Sequence, residues 1–280
     1  MNQTATETIL TAEQKEDFIR DGYIIVRDLI PQDVVRKTRD DLMESLGAIY
    51  DDPTTWKSRE EVTSWMWTAG PLTKKCRSAQ VEQVVEELIG PHFLRGVSFH
   101  PGKESVGLEA REYGYIPVLT SPKVNGKDLV PPTPWHVDGI NGTDITPSVF
   151  MMVMFVYLTD TEENGGATTV RPGSHRQLFE HWSKNGMGPI DDLEYAEPVS
   201  IAGKAGDVIF FHYLLVHRGS ENQSDHLRVG LNTAVHQDPE NPYQLKSGAP
   251  DESWTPFDET LRTDHLDPEV QARLTSLQST

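Results

Sequence analysis

Ten consecutive residues, Val149-Phe150-Met151-Met152-Val153-Met154-Phe155-Val156-Tyr157-Leu158, contain no polar side chain apart from the Tyr157 hydroxyl. A strand with one face in water alternates apolar and polar residues, so an unbroken run of this kind needs cover on both faces. It is far short of the roughly 20 residues that a membrane helix needs. The run therefore reads as a central strand with helices packed outside it.

The flanking sequence supports that layering. From about residue 93 onward, short β-rich runs alternate with Gly, Pro, Asn and Asp breakers. Candidate strands are 94–99, 112–119, 134–138, 149–158, 167–171, 207–217 and 228–236. Most connections between them are too short for crossover helices, which favours antiparallel pairing. The predicted fold is mainly β with flanking helices: a jelly roll with an N-terminal helical layer.

That layer has its own signals. Thr11-Ala12-Glu13-Gln14 reads as a capping box opening a short helix that ends near Gly22, and Tyr23-Ile24-Ile25-Val26 reads as a strand. A second helix follows Pro31, with Val34, Val35, Thr38, Leu42, Met43 and Leu46 on one stripe, and a third places Val81, Val84, Val85 and Leu88 at helical spacing before Gly90-Pro91. Residues 51–77 carry Trp56, Trp65, Trp67 and Pro71 with no clean period; they read as core packing under a loop or as a wall over a pocket. Asp267-Pro268-Glu269 resembles the start of a last helix running to about Leu277. Neither an internal repeat nor a second-domain linker is visible. The chain reads as one domain over 1–280, with a jelly-roll core at about 93–236, N-terminal helices at about 11–90 and a C-terminal helix at about 267–277.

Charge narrows the partners. The 43 acidic residues against 25 basic ones give a net charge of −18, and no Lys/Arg block offers a footprint for phosphate backbones. Nucleic acid and anionic membranes are therefore poor partners, and an anionic ligand needs local cations inside a pocket. The single cysteine, Cys76, excludes an intrachain disulfide and reads as a partly buried thiol. The N-terminal residues have neither the basic region nor the apolar core of a signal peptide, so a cytoplasmic protein is expected.

The chemistry gathers at Trp135-His136-Val137-Asp138-Gly139. If 135–138 is extended, His136 and Asp138 project to one side and Val137 to the other. Downstream, an apolar strand ends in His217 just before the polar turn Arg218-Gly219-Ser220-Glu221-Asn222, placing a third imidazole at a barrel mouth. Two His and one carboxylate on one face, with three positions open, are the facial triad of non-haem Fe(II) oxygenases. A closed zinc site would normally need four protein ligands. Arg228 follows His217 by eleven residues and, in an antiparallel hairpin, would point into the barrel. An inward Arg requires an anionic partner, and its planar fork matches a carboxylate. The inferred ligand is a small dicarboxylate, chelating the metal at one end and clamped by Arg228 at the other.

In this order, His136-Val137-Asp138, then His217 after 78 intervening residues, then Arg228, the chain resembles the phytanoyl-CoA dioxygenase-like branch of Fe(II)/2-oxoglutarate oxygenases. Phe18-Ile19-Arg20-Asp21-Gly22-Tyr23, Asn164-Gly165-Gly166-Ala167 leading into Arg171-Pro172-Gly173-Ser174-His175, and His217-Arg218-Gly219-Ser220-Glu221-Asn222 agree with it. The resemblance covers roughly residues 10–236. It implies a double-stranded β-helix, iron at His136, Asp138 and His217, and 2-oxoglutarate held by Arg228 with O2 as the second cosubstrate. Thr168 looks like the family's hydroxyl that helps to hold the cosubstrate. Thr133 stands where some members carry a Gln, three residues before the first ligand. Family-like halogenases replace the carboxylate ligand with a small residue, so Asp138 favours hydroxylation, desaturation or oxidative rearrangement.

His175 reads as a turn residue, and His212, an odd number of positions from His217, as facing away from the metal. His92, His100, His181, His226, His236 and His265 read as surface or core. The expected substrate is a small molecule, a natural-product intermediate by preference, with 51–77 and 100–133 as the variable wall. Two other readings use the same residues: a cupin-like metal lyase or isomerase, and a jelly-roll binding protein without catalysis. Arg228 separates them, because only the oxygenase needs a carboxylate clamp there.

Overall fold

The computed structural model describes residues 8–66, 68–90, 115–123, 132–138, 145, 150–236 and 242–277. Among them, helices α1 (Ala12–Asp21), α2 (Gln32–Leu46), α3 (Arg59–Met66), α4 (Ala79–Ile89), α5 (Ser174–Asn185), α6 (Pro256–Thr260) and α7 (Pro268–Leu277) flank two antiparallel sheets. The strands are β1 (Tyr23–Val26), β2 (Ile116–Thr120), β3 (Phe150–Tyr157), β4 (Thr168–Val170), β5 (Val199–Ile201), β6 (Val208–His212), β7 (His217–Gly219) and β8 (Arg228–His236). The larger sheet has the order β1-β6-β3-β8-β2 and the smaller one β5-β4-β7.

The apolar run forms β3, in the centre of the larger sheet. Its alternate residues explain why it carries no polar position. Met152, Met154 and Val156 enter the core shared with the helices, while Val153, Phe155 and Tyr157 enter the core shared with the smaller sheet. β6 divides the same way, with Val208 and Phe210 on the helix side and Ile209 and Phe211 between the sheets. On β8, Val229, Leu231 and Val235 face the helices, so Arg228, Gly230 and Asn232 face the smaller sheet.

Local signals set the helix ends. The Thr11 hydroxyl accepts from Gln14 N–H at 3.1 Å and Gln14 Oε1 accepts from Thr11 N–H at 2.9 Å, closing the capping box. Gly22 ends α1 with φ +82°, and a Cβ there would stand 2.4 Å from His175 Nδ1. Only glycine meets both demands. Ser78 caps α4, and Asp267 accepts from Glu269 N–H at the start of α7.

Several expectations change. The helices hold more of the described residues than the strands, so the architecture is mixed helix and antiparallel sheet rather than mainly β. The run 207–217 is not one strand. β6 stops at His212, a turn closed by Leu215 N–H to His212 O intervenes, and β7 starts in the other sheet at His217. Arg228 therefore does not sit in a hairpin with His217: β8 pairs with β2 and β3, and β7 with β4. Residues 134–138 contribute one bridge, His136 to His217, rather than a strand. Residues 51–77 contain α3 and short 3-10 turns, and Trp56 and Trp65 pack against the helix-side core. The candidate strand 94–99, most of 100–133, and Trp67 lie outside the described residues. Cys76 is fully buried, and burial pushes its thiol pKa up. Among the described residues no helix is long and apolar enough to cross a membrane.

Candidate metal and carboxylate site

His136, Asp138 and His217 converge. Each offers one ligand atom, and the three atoms lie within 4.8 Å of one another. His217 Nε2 is 3.5 Å from Asp138 Oδ2, and His136 Nε2 is 3.8 Å from Asp138 Oδ1. Backbone pairing creates this approach. His136 N–H donates to His217 O and His217 N–H to His136 O, both at 3.0 Å, and Asp138 N–H donates to Tyr213 O. The segment carrying two of the groups is thereby laid against the start of β7.

Both imidazoles are held in the same tautomer. His136 Nδ1 lies 2.8 Å from Pro134 O, and His217 Nδ1 lies 2.9 Å from Leu215 O. A carbonyl only accepts, so each Nδ1 carries the proton and each Nε2 lone pair faces the third group. This is the way metal-binding histidines are usually oriented by their outer partners. Burial and the neighbouring His217 hold the His136 pKa below its ordinary value. Burial alone would raise Asp138, but without a metal a protonated His217 can donate to it and carry charge, with a contribution from His136, which outweighs burial and keeps the carboxyl low; a bound metal takes the place of that proton. The donor set is two neutral imidazoles and one carboxylate, which fits a divalent iron with open positions.

Arg228 is buried in the same cavity, reaching between the sheets from β8. Its Nη2 donates to Thr168 Oγ1 at 3.1 Å and its Nη1 to Thr120 Oγ1 at 3.4 Å. Its Cζ lies 4.1 Å from the centre of the Phe155 ring, a cation–π contact. Its Nε has no partner, and no carboxylate pairs with it among the described residues. Burial lowers its pKa to about 10, still well above neutrality. A charged fork held against hydroxyls and an aromatic face has the geometry to pair with an external carboxylate.

The six residues singled out from sequence all line this cavity of about 240 Å³. Thr168, expected beside the cosubstrate, stands against Arg228. Thr133 has its hydroxyl oxygen engaged by Gly219 N–H at 2.7 Å, which ties the loop before His136 to β7. Thr120, the second hydroxyl on the guanidinium, escaped the sequence reading because it follows the last residue of the candidate strand 112–119. His175 and His212 lie on the helix side: His212 packs on Phe257 and His175, away from the triad. His212 faces away as expected, although the strand is broken between it and His217. His181, His226 and His265 also lie outside the cluster. Trp135, beside His136, has the guanidinium carbons of Arg171 and Arg218 at 4.7 and 4.6 Å from its ring.

Known proteins are similar to this chain in sequence and fold. Residues 18–230 match the family model described as phytanoyl-CoA dioxygenase. Peroxisomal phytanoyl-CoA dioxygenase of Homo sapiens is 22% identical over 241 residues, which cover 81% of this chain and 69% of the human protein. Ectoine dioxygenase of Bordetella bronchiseptica is 24% identical over 246 residues, covering 79% of this chain and 74% of that protein. Among solved structures, the non-heme alpha ketoglutarate dependent carbocyclase SnoK from nogalamycin biosynthesis superposes with a TM-score of 0.55 at 19% identity, over 82% of this chain and 85% of that one. EctD from S. alaskensis with 2-oxoglutarate and 5-hydroxyectoine gives 0.53 at 19% identity, over 86% and 80%.

Proposed function

The chain belongs to the phytanoyl-CoA dioxygenase family, and we propose that its inter-sheet cavity holds Fe(II) at His136, Asp138 and His217 and 2-oxoglutarate at Arg228. The protein is an Fe(II)/2-oxoglutarate-dependent oxygenase acting on a small organic molecule. The observation that carries the site assignment is the buried guanidinium without a carboxylate partner, set in the same cavity as a three-ligand cluster. A metal lyase or a non-catalytic binding protein gives Arg228 no such partner. Bound at the triad, iron supplies the coupling of oxidative decarboxylation of 2-oxoglutarate, to succinate and CO2, with oxidation of the substrate.

The chain's own residues do the positioning. Pro134 O and Leu215 O fix the two imidazoles, Arg228 takes the distal carboxylate with Thr168 and Thr120 beside it, and Phe155 and Phe211 line the cavity with apolar surface. The two sheets close as a jelly roll within a single oxygenase domain. With Asp138 present, hydroxylation, desaturation or oxidative rearrangement is the outcome. The substrate is a natural-product intermediate, a reading supported by SnoK and its place in nogalamycin biosynthesis. The protein works in the cytoplasm, without nucleic acid or membrane as partner.

Anaerobic addition of Fe(II) and then 2-oxoglutarate should produce the visible charge-transfer band of the chelate, and oxygenated mixtures should release succinate. Absence of both, with iron shown to be bound elsewhere or not at all, would refute the assignment.

A further inference from the structure

One polar group on the cavity wall is used neither by the triad nor by the carboxylate clamp. Asn232 stands on β8 four residues beyond Arg228, so the two side chains project to the same, inter-sheet face. Its paired residues are Phe155 on β3 and Ile116 on β2. It lines the cavity that contains His136, Asp138, His217 and Arg228. Its Oδ1 is buried and has no hydrogen-bond partner among the described residues.

Apart from the buried Nε atoms of Arg218 and Arg228, which are donors without a hydrogen-bond partner among the described residues, the other polar side chains of that cavity outside the triad are engaged. Thr120 and Thr168 accept from Arg228, Thr133 accepts from Gly219 N–H, Ser220 donates to Ala167 O, and the Arg218 guanidinium lies on Trp135. A buried amide oxygen without a donor costs stability, and a leucine of similar volume would not carry that cost. Such a group makes sense where a ligand brings the missing partner. With Oδ1 as placed, 2-oxoglutarate cannot bring it, because its two carboxylates and keto oxygen only accept hydrogen bonds at neutral pH. The primary substrate is the organic ligand of this cavity that can bring a donor.

We propose that Asn232 is a specificity-determining residue that hydrogen-bonds a hydroxyl group of the primary substrate. A hydroxyl both donates and accepts, so it satisfies the carboxamide in either orientation about its last torsion. With Val118, Leu119, Phe155 and Phe211 around it, the substrate class is a small, largely apolar alcohol. This assignment rests on the oxygenase reading of the same cavity.

Asn232→Leu tests it in three measurements. The ligand-free variant should melt at or above the wild-type temperature; a clear fall would mean that the amide is a structural partner and would overturn the proposal. Loaded with Zn(II) in place of iron, wild type and variant should bind 2-oxoglutarate within about twofold of each other; a loss of about tenfold or more would make Asn232 a cosubstrate ligand and also overturn it. On the Zn(II)/2-oxoglutarate proteins, ligand-observed NMR with cyclohexanol and 1-phenylethanol should show binding about tenfold weaker in the variant, while cyclohexane and ethylbenzene bind both alike. Asn232→Ser should restore part of the alcohol affinity. Equal retention of the alcohols by both proteins, or by neither, would sink the idea. Failure of both proteins to take up Zn(II) and 2-oxoglutarate would instead defeat the oxygenase reading, and this proposal with it.

Discussion

The Arg228 guanidinium, carried by the larger sheet, donates to the Thr168 hydroxyl of the smaller sheet across 3.1 Å. This contact bridges the inter-sheet space on the wall of the triad's cavity. Arg228→Lys keeps a charge and loses the fork. It should weaken 2-oxoglutarate by about two orders of magnitude, as expected for losing a bidentate charged pair, and leave iron affinity within about threefold. Thr168→Val, removing one hydroxyl, should cost about tenfold or less. Anaerobic titrations of the charge-transfer band against each ligand measure both numbers. Equal loss of iron and 2-oxoglutarate in Arg228→Lys would contradict the clamp.

Iron dependence should follow the triad. Stripping the protein with a chelator should abolish succinate release, and Fe(II) should restore it. Asp138→Ala should lower iron affinity by at least the roughly 10- to 100-fold seen when a mere supporting group of a metal ligand is lost. His212→Phe, on the other side of the sheet, should leave iron binding intact. Calorimetric titration of Fe(II) under nitrogen, on wild type and both variants, separates the two classes of histidine. Undiminished iron binding by Asp138→Ala would remove Asp138 from the ligand set.

These contrasts also show how much was legible in the residues. β3 was readable because burial on both faces leaves a contiguous apolar run, and α1, α2 and α4 because caps and a helical stripe coincide. That His136, Asp138, His217 and Arg228 share one cavity was readable because metal and carboxylate chemistry restricts residue types so strongly. The break after His212 was not, since Tyr213 to Val216 continue the β-rich run with no glycine or proline. The turn there is fixed by tertiary partners, among them Val216 N–H donating to the Ser174 hydroxyl at 2.8 Å. The helix α5 did carry a signal in His175, Leu178, Phe179 and Trp182, all buried on one stripe, but the Pro172-Gly173 turn before it drew the reading toward a loop. Three-residue strands such as β5 have too few positions to show a period. Asn232 could not be singled out, because only the pairing of β8 reveals which of its faces meets the cavity.

Gly230 lies between Arg228 and Asn232 on the inner face of β8, and a Cβ there would stand 2.1 Å from Phe155 Cζ and 3.0 Å from Val156 O. The Phe155 ring is therefore seated directly on this glycine while it supports the Arg228 guanidinium. Gly230→Ala should force the ring off its position. Overpacking of this kind costs about 1–3 kcal/mol, and the displaced ring should also weaken 2-oxoglutarate. Urea unfolding gives the first quantity and the charge-transfer titration the second. Loss of stability without any loss of 2-oxoglutarate affinity would show that the ring does not position the guanidinium.

The two buried imidazoles on the helix side set the expected acid sensitivity. Leu214 N–H donates to His212 Nδ1, so His212 carries its proton on Nε2; His175 Nε2 lies 3.3 Å from Ile19 O, so its Nδ1 is a bare acceptor. The rings are 5.1 Å apart, neutral, and enclosed by Phe18, Tyr213 and Phe257. Burial drives the His175 pKa down to about 3, and His212 is driven well below its ordinary value by burial first and by His175 second. A folded-state pKa below the unfolded one means that stability is complete above about pH 6.5 and declines as pH falls below it, because the unfolded chain takes up protons that the folded chain refuses. Each histidine can contribute up to about 1.4 kcal/mol per pH unit over that range. The urea midpoint should therefore fall between about pH 7 and about pH 5, and His212→Phe should flatten the slope. An unchanged slope in that variant would place the source of acid sensitivity elsewhere.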